Sequence, residues 1–217
     1  MNGIFVTIEG PEGSGKSTQA RLLAERLIAE GRDVVLTREP GGTPTGEAIR
    51  AILQHDAAGE PIAPECEVLL FEACRAQLVA QAILPAIERG ACVICDRFFD
   101  STTAYQGYGR GLNILLIQAV NEFAARNMRP DLTLLLDLDP AAGLARAGTR
   151  NARERREHDR IEREEIAFHE RVRSGYLALA ASEPDRFRLI DAARDPESVA
   201  NDIWNAVNAV LEERLEA

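Results

Sequence analysis

Residues 3–23, GIFVTIEGPEGSGKSTQARLL, constrain the fold more than any other stretch of the chain. An apolar run over residues 4–8 ends in a polar, glycine-rich loop that opens directly into helical spacing. Gly10, Gly15, Lys16 and Ser17 satisfy G-x-x-x-x-G-K-[ST], the pattern of a phosphate-binding loop between a strand and a helix. The chain has 25 basic residues, and Lys16 is its only lysine. Wherever general basicity suffices this sequence uses arginine, so the exception points to a local need. A lysine ammonium is a compact point charge that fits between backbone amides and phosphate oxygens, where the planar arginine fork does not.

Beyond the loop the same architecture continues. Residues 17–30 place Ala20, Leu23, Leu27 and Ile28 at helical spacing before Gly31. Residues 33–37 read as a second strand, stopped by Pro40, Gly41 and Gly42. A strand, helix and strand at this spacing form a βαβ unit, which implies a parallel sheet. A short helix is expected over 47–53 and a long one over 64–89, with strands over 91–95, 132–136 and 187–191. Residues 99–111, FDSTTAYQGYGRG, read as a polar, aromatic loop, and 113–126 and 196–215 as helices. The result is one doubly wound α/β domain over 1–217, with five parallel strands and helices on both faces.

Composition narrows the partners. A net charge of -10 argues against a nucleic-acid polymer as partner, but leaves small phosphorylated molecules held by local arginines. Neither an apolar run of about 20 residues nor a signal-like leader is read, so no membrane is expected and the location reads as cytoplasmic. Cys92 and Cys95 lie three apart in an apolar strand and so point to opposite faces, which disfavours a shared metal or a disulfide. The three histidines show no metal-ligand spacing.

Ligands of a parallel sheet bind beyond the carboxyl ends of its strands. Four polar clusters come directly after strands: residues 9–17, Arg38 with Glu39, Asp96 with Arg97, and Asp137. They are expected to converge. The loop formed by Gly10, Pro11, Glu12, Gly13, Ser14 and Gly15 would cradle nucleotide phosphates on its free backbone N–H groups, Lys16 would meet the β/γ oxygens, and Ser17 would reach Mg²⁺. Asp96 reads as a second magnesium-shell group, or else as a cap of the next element. Arg38 and Arg97 lie where a second phosphate would be clamped. Seven arginines fall within 146–163, which reads either as a solvated helix or as a lid closing over triphosphate.

TREPGGT (37–43), GPEGSGKST and DRFFDSTTAYQG together closely resemble the bacterial thymidylate kinases, and RPDLTLLLDLDP and residues 159–162 extend the likeness over nearly the whole chain. The resemblance implies transfer of the γ-phosphoryl group of ATP to dTMP, with Mg²⁺, by a homodimer. It implies that Glu12 meets the deoxyribose 3′-hydroxyl and that Arg38 and Arg97 hold the acceptor phosphate. Phe71 would stack on thymine, Arg75 would bond its edge, and Ser101, Thr102, Tyr105 and Gln106 would complete the pocket. Because the loop has no arginine, the lid would supply the catalytic one: Arg155, with Arg150 and Arg153 as rivals. The chain departs from the family pattern at Phe98 and Thr103. The broad apolar face of 64–89 is the expected dimer contact. A kinase for another nucleoside monophosphate is the near alternative. A GTPase-like switch is the distant one, since an Asn-Lys-x-Asp motif cannot be built with Lys16 as the only lysine.

Overall fold

The computed structural model describes residues 3–54, 59–154 and 159–216. Five strands, β1 (Ile4–Glu9), β2 (Val34–Arg38), β3 (Cys92–Asp96), β4 (Leu132–Asp137) and β5 (Phe187–Asp191), form one parallel sheet. Their order is β2-β3-β1-β4-β5. The central strands are apolar on both sides because helices cover both faces. One layer packs Val6, Ile8, Ile94 and Leu134 under α1 (Lys16–Ala29) and α9 (Pro196–Glu216), through Leu23, Leu27, Ile203 and Val207. The other packs Phe5, Val93 and Cys95 under α3 (Pro64–Leu78) and the segment after it, and Leu135 under α8 (Ile166–Ser182). Cys92 and Cys95 fall into opposite layers, as their spacing requires.

Two expectations are corrected. The 64–89 helix is not continuous: α3 passes into a π-helical turn, Val79–Ile83, before α4 (Leu84–Glu88). Pro85 accounts for this, because its ring lacks an N–H and crowds the carbonyl of Gln81 one turn back. This run is also long and apolar enough to cross a membrane, yet one face of it carries the buried charged residues Glu67, Glu72 and Arg75. The second correction concerns 99–111, which is not a loop. It forms α5 (Phe99–Thr102) and a second π-helical turn, Thr103–Gly109, packed against α8. Helix α7 (Pro140–Glu154) runs through the start of the arginine-rich stretch, and turns over 159–163 lead into α8.

The remaining helices, α2 (Pro44–Gln54) and α6 (Ile114–Ala124), flank α3. Between them, the ends of β1, β2 and β3, α3, and the second π-turn open a cavity of about 1070 Å³.

Candidate active site

The loop after β1 is built by close backbone approach. Gly13 has φ 69°, and a Cβ there would stand 2.0 Å from the carbonyl oxygen of Gly143 on α7. The phosphate loop and the helix that leads to the lid therefore touch through glycine backbone on both sides. Lys16 is only 7% exposed. Its Nζ donates to Pro11 O at 2.7 Å and to Ser14 Oγ at 3.3 Å. Burial and then the neighbouring Arg97 guanidinium push its pKa down to about 8, against the pull of Glu12 and Asp96. It is a cation short of counter-charge.

At the adjoining end of β3, Ser17 Oγ donates to Asp96 Oδ2 at 2.5 Å. This pairs two hard oxygens at the mouth of the loop. A magnesium ion on substrate phosphates keeps several waters and takes one or two protein oxygens, so the pair suits it.

Arg97, at φ 72°, adopts the left-handed backbone that non-glycine residues rarely hold. The turn aims its guanidinium back under the loop. Nη2 donates to Glu12 Oε1 at 2.5 Å and to the Tyr105 hydroxyl at 3.0 Å. Nη1 reaches Gly10 O, Ser101 Oγ and the Tyr176 hydroxyl, each at 3.2 Å. Burial alone would raise the Glu12 carboxyl; Arg97, then Lys16 and the Tyr105 hydroxyl, hold it down to about 2. Behind this cluster, Glu9 accepts from Phe98 N, Ser101 Oγ and the Tyr176 hydroxyl. Burial, with Asp100 nearby, pushes Glu9 up to about 7. Glu9 opens the polar cluster over 9–17 expected at this edge, whereas Tyr176 was not expected at the site. Glu9 carries a sequence signal, a carboxylate ending an apolar strand, whereas Tyr176 lies about 80 residues from Arg97 with no local pattern to mark it. Phe98, with no polar tip, is sealed against Phe5 with ring centroids 5.0 Å apart; its ring lies 5.4 Å under the Arg75 guanidinium, and its backbone N–H is its one polar contribution to the cluster.

The far wall of the cavity holds Arg38, Phe71, Arg75, Ser101, Thr102, Tyr105 and Gln106 together, as expected. Arg38 donates through Nη2 to both Glu47 oxygens, at 2.9 and 3.0 Å. Arg50, missed in the sequence, joins them from α2, where burial and Arg38 both disfavour its charge. Its Nη1 donates to Pro40 O at 2.8 Å. Arg75 is 1% exposed and uses all five N–H groups: on Glu39, Glu72, Asn121 and the Thr102 hydroxyl. Burial raises the Glu39 carboxyl to about 7 against the pull of Arg75.

Some expected residues lie elsewhere. Gly10, Pro11 and Ser14 sit beneath the cavity wall and brace Lys16 and Arg97 rather than line it. Asp137 does not join the site; its carboxylate is taken by Arg173 at 2.7 and 2.8 Å. Arg150 lines the cavity and ion-pairs with Glu162, whereas Arg153 lines only a second hollow along α7, shared with Arg146 and Arg150. Arg155 lies outside the described residues.

A glycine-rich loop after β1, a Ser17–Asp96 pair across to β3, and a parallel sheet in this order define a phosphate-loop nucleotide-binding protein. Comparison with known proteins narrows the class. The family model for thymidylate kinase matches residues 8–203. The thymidylate kinase of Solidesulfovibrio magneticus is 52% identical, over 96% of this chain and all of its own. That of Deinococcus radiodurans is 48% identical, over 95% and 97%. A crystal structure of thymidylate kinase from Ehrlichia chaffeensis superposes with a TM-score of 0.76 at 34% identity, covering 96% of this chain and 99% of that one. The chain belongs to the thymidylate kinase family.

Proposed function

We propose that the protein transfers the γ-phosphoryl group of ATP to dTMP, giving dTDP and ADP. The observation that carries this reading is that one cavity is lined both by the phosphate-loop residues Glu12, Gly13, Gly15, Lys16 and Ser17 and by Arg38, Arg50 and Arg97. Lys16 would balance charge on the β and γ phosphates. Arg97, with Arg38 and Arg50 across the opening, would hold the acceptor phosphate in line with the donor. No side chain need act as a nucleophile, since the acceptor phosphate supplies the attacking oxygen. Rate enhancement then comes from positioning and charge stabilisation.

Ser17 and Asp96 are the residues that would hold Mg²⁺. The chemistry the ion would supply there is neutralisation of phosphate charge. Glu12, anionic throughout the neutral range, would accept from the sugar 3′-hydroxyl while staying paired to Arg97. Phe71 offers a flat apolar wall for the base. Arg75 can reach the base edge only by sharing an N–H, such as the one that Thr102 Oγ1 now accepts at 3.0 Å. The lid reading of 146–163 supplies arginine charge to the transferring group, with Arg150 already on the cavity wall.

A homodimer is part of the proposal. Beside the expected α3 face, Leu69 on α3 and Leu115, Leu116 and Phe123 on α6 form an exposed apolar surface across two packed helices. The function is tested by assaying ATP-dependent phosphorylation of a nucleoside monophosphate panel. Preference for dTMP is expected; preference for UMP or AMP would overturn it.

A further inference from the structure

Glu67, on α3, has no role in the chemistry above, yet it is 1% exposed beside the cavity. The Gln106 side-chain Nε2 donates to Glu67 Oε1 at 2.7 Å. Arg110 spans both carboxylate oxygens, Nε to Oε1 and Nη2 to Oε2, each at 3.3 Å. Arg160, near the end of the 146–163 stretch, ion-pairs with Oε2. Burial opposes ionisation of Glu67, but the bonds from Gln106 and Arg110, together with the charges of Arg110 and Arg160, outweigh it and hold the carboxyl below its ordinary range.

An ionised carboxylate can only accept hydrogen bonds. The group Gln106 turns toward Glu67 must therefore be its NH₂, whichever way the amide would otherwise lie. Its Oε1 is what remains, and among the described residues that oxygen accepts no hydrogen bond, although Gln106 lines the cavity.

We propose that Glu67 is a positioning residue for base selection, fixing the Gln106 amide so that an oxygen, and not an NH₂, meets the acceptor base. The inference rests on the nucleoside monophosphate kinase reading above. A pyrimidine with a proton on N3, thymine or uracil, donates to that oxygen. Cytosine presents a lone pair at N3, so two acceptors would face each other with water excluded. A site built around one hydrogen bond rejects the analogue that cannot make it far more strongly than an apolar pocket rejects a missing methyl. Gln106 does not separate thymine from uracil.

Glu67→Gln keeps shape and volume but can both donate and accept, so it lets the Gln106 amide turn over. We would measure kcat/KM with ATP for thymidine monophosphate and deoxycytidine monophosphate. The thymidine-to-deoxycytidine ratio is expected to fall at least about tenfold, chiefly through a raised KM for thymidine monophosphate, with KM for ATP unchanged. An unchanged ratio, or equal losses on both substrates, would overturn the inference. Should the variant not fold, the Gln106 side-chain amide resonances of the parent decide. Two distinct protons, one protected from exchange and little moved by thymidine monophosphate, support the assignment. Protons that shift strongly on binding, because they donate to the base, overturn it. A parent inactive on thymidine monophosphate would remove the functional reading first, and this inference with it.

Discussion

Lys16 is held as a cation where the fold does not favour one. Burial and Arg97 lower its pKa to about 8, from an ordinary value near 10.5. The unfolded chain therefore binds more protons between those values, and folding stability rises with pH across that window. Below pH 8 the charged lysine costs the free enzyme up to about 3 kcal/mol. A triphosphate in the loop reverses the balance, since it favours the ammonium. Nucleotide affinity should thus be flat below pH 8 and weaken by up to about tenfold per pH unit above it, read by titration calorimetry at pH 7, 8 and 9. Lys16→Arg should abolish that slope, because a guanidinium stays charged, and should still lower kcat by about 100-fold, because the fork does not fit between Pro11 O and the phosphates. Near-normal turnover in Lys16→Arg would show that charge, not shape, is what the position requires. This much was legible from a count of one lysine among 25 basic residues. The pKa was not, since it depends on Arg97, 81 positions away.

Among the elements, those organised by a continuous apolar run or a regular helical stripe were legible, because burial on both faces leaves little choice of residue. The second π-turn was not. Its glycines and tyrosines are poor helix formers, and it winds because tertiary contact overrides propensity: Tyr105 packs edge-on to Phe168 and Tyr176, and a Cβ on Gly109 would lie 2.7 Å from the Phe168 ring. The buried charges were hidden for the same reason. Arg75 was read as free to meet a base, whereas Glu39 and Asn121, 36 and 46 residues distant, take its donors. The lid stem shows how such pairs work. Glu162 accepts from Arg150 at 2.8 Å and from Asn151 Nδ2 at 2.7 Å, tying the end of α7 to the turn before α8. Glu162→Ala should loosen this tie while leaving the phosphate loop intact. We expect kcat to fall by about tenfold, with uncoupled ATP hydrolysis rising relative to transfer as water reaches the donor. A coupled assay for ADP set against product dTDP measures both. Equal ratios in parent and variant would remove Glu162 from lid closure.

For the molecule as a whole, the question is which surface covers the α3–α6 face. Phe123 is 85% exposed and Leu115 76%, beside Leu116 and Leu69. Large exposed apolar side chains gathered on two packed helices suit an association site. The chain elsewhere spreads a net charge of -10 over its surface, which keeps copies apart unless a specific patch offsets the repulsion. A homodimer through this face would also have a functional consequence, because Glu67, Phe71, Glu72 and Arg75 all project from α3 into the acceptor wall. Fixing the outer face of that helix limits how far its inner face can shift. Phe123→Asp puts a charge on the proposed contact in place of its most exposed aromatic, and a buried interface aromatic commonly contributes about 2 kcal/mol or more, at least about 30-fold in dissociation constant. Sedimentation velocity at micromolar concentration should find the parent at twice the chain mass and the variant at one. If α3 is indeed braced by its partner, the monomeric variant should show a raised KM for dTMP while KM for ATP, whose loop lies on β1 and α1, stays as it was. A monomeric parent would refute the interface; a monomeric variant with parental KM values would leave the interface standing but sever it from the acceptor pocket.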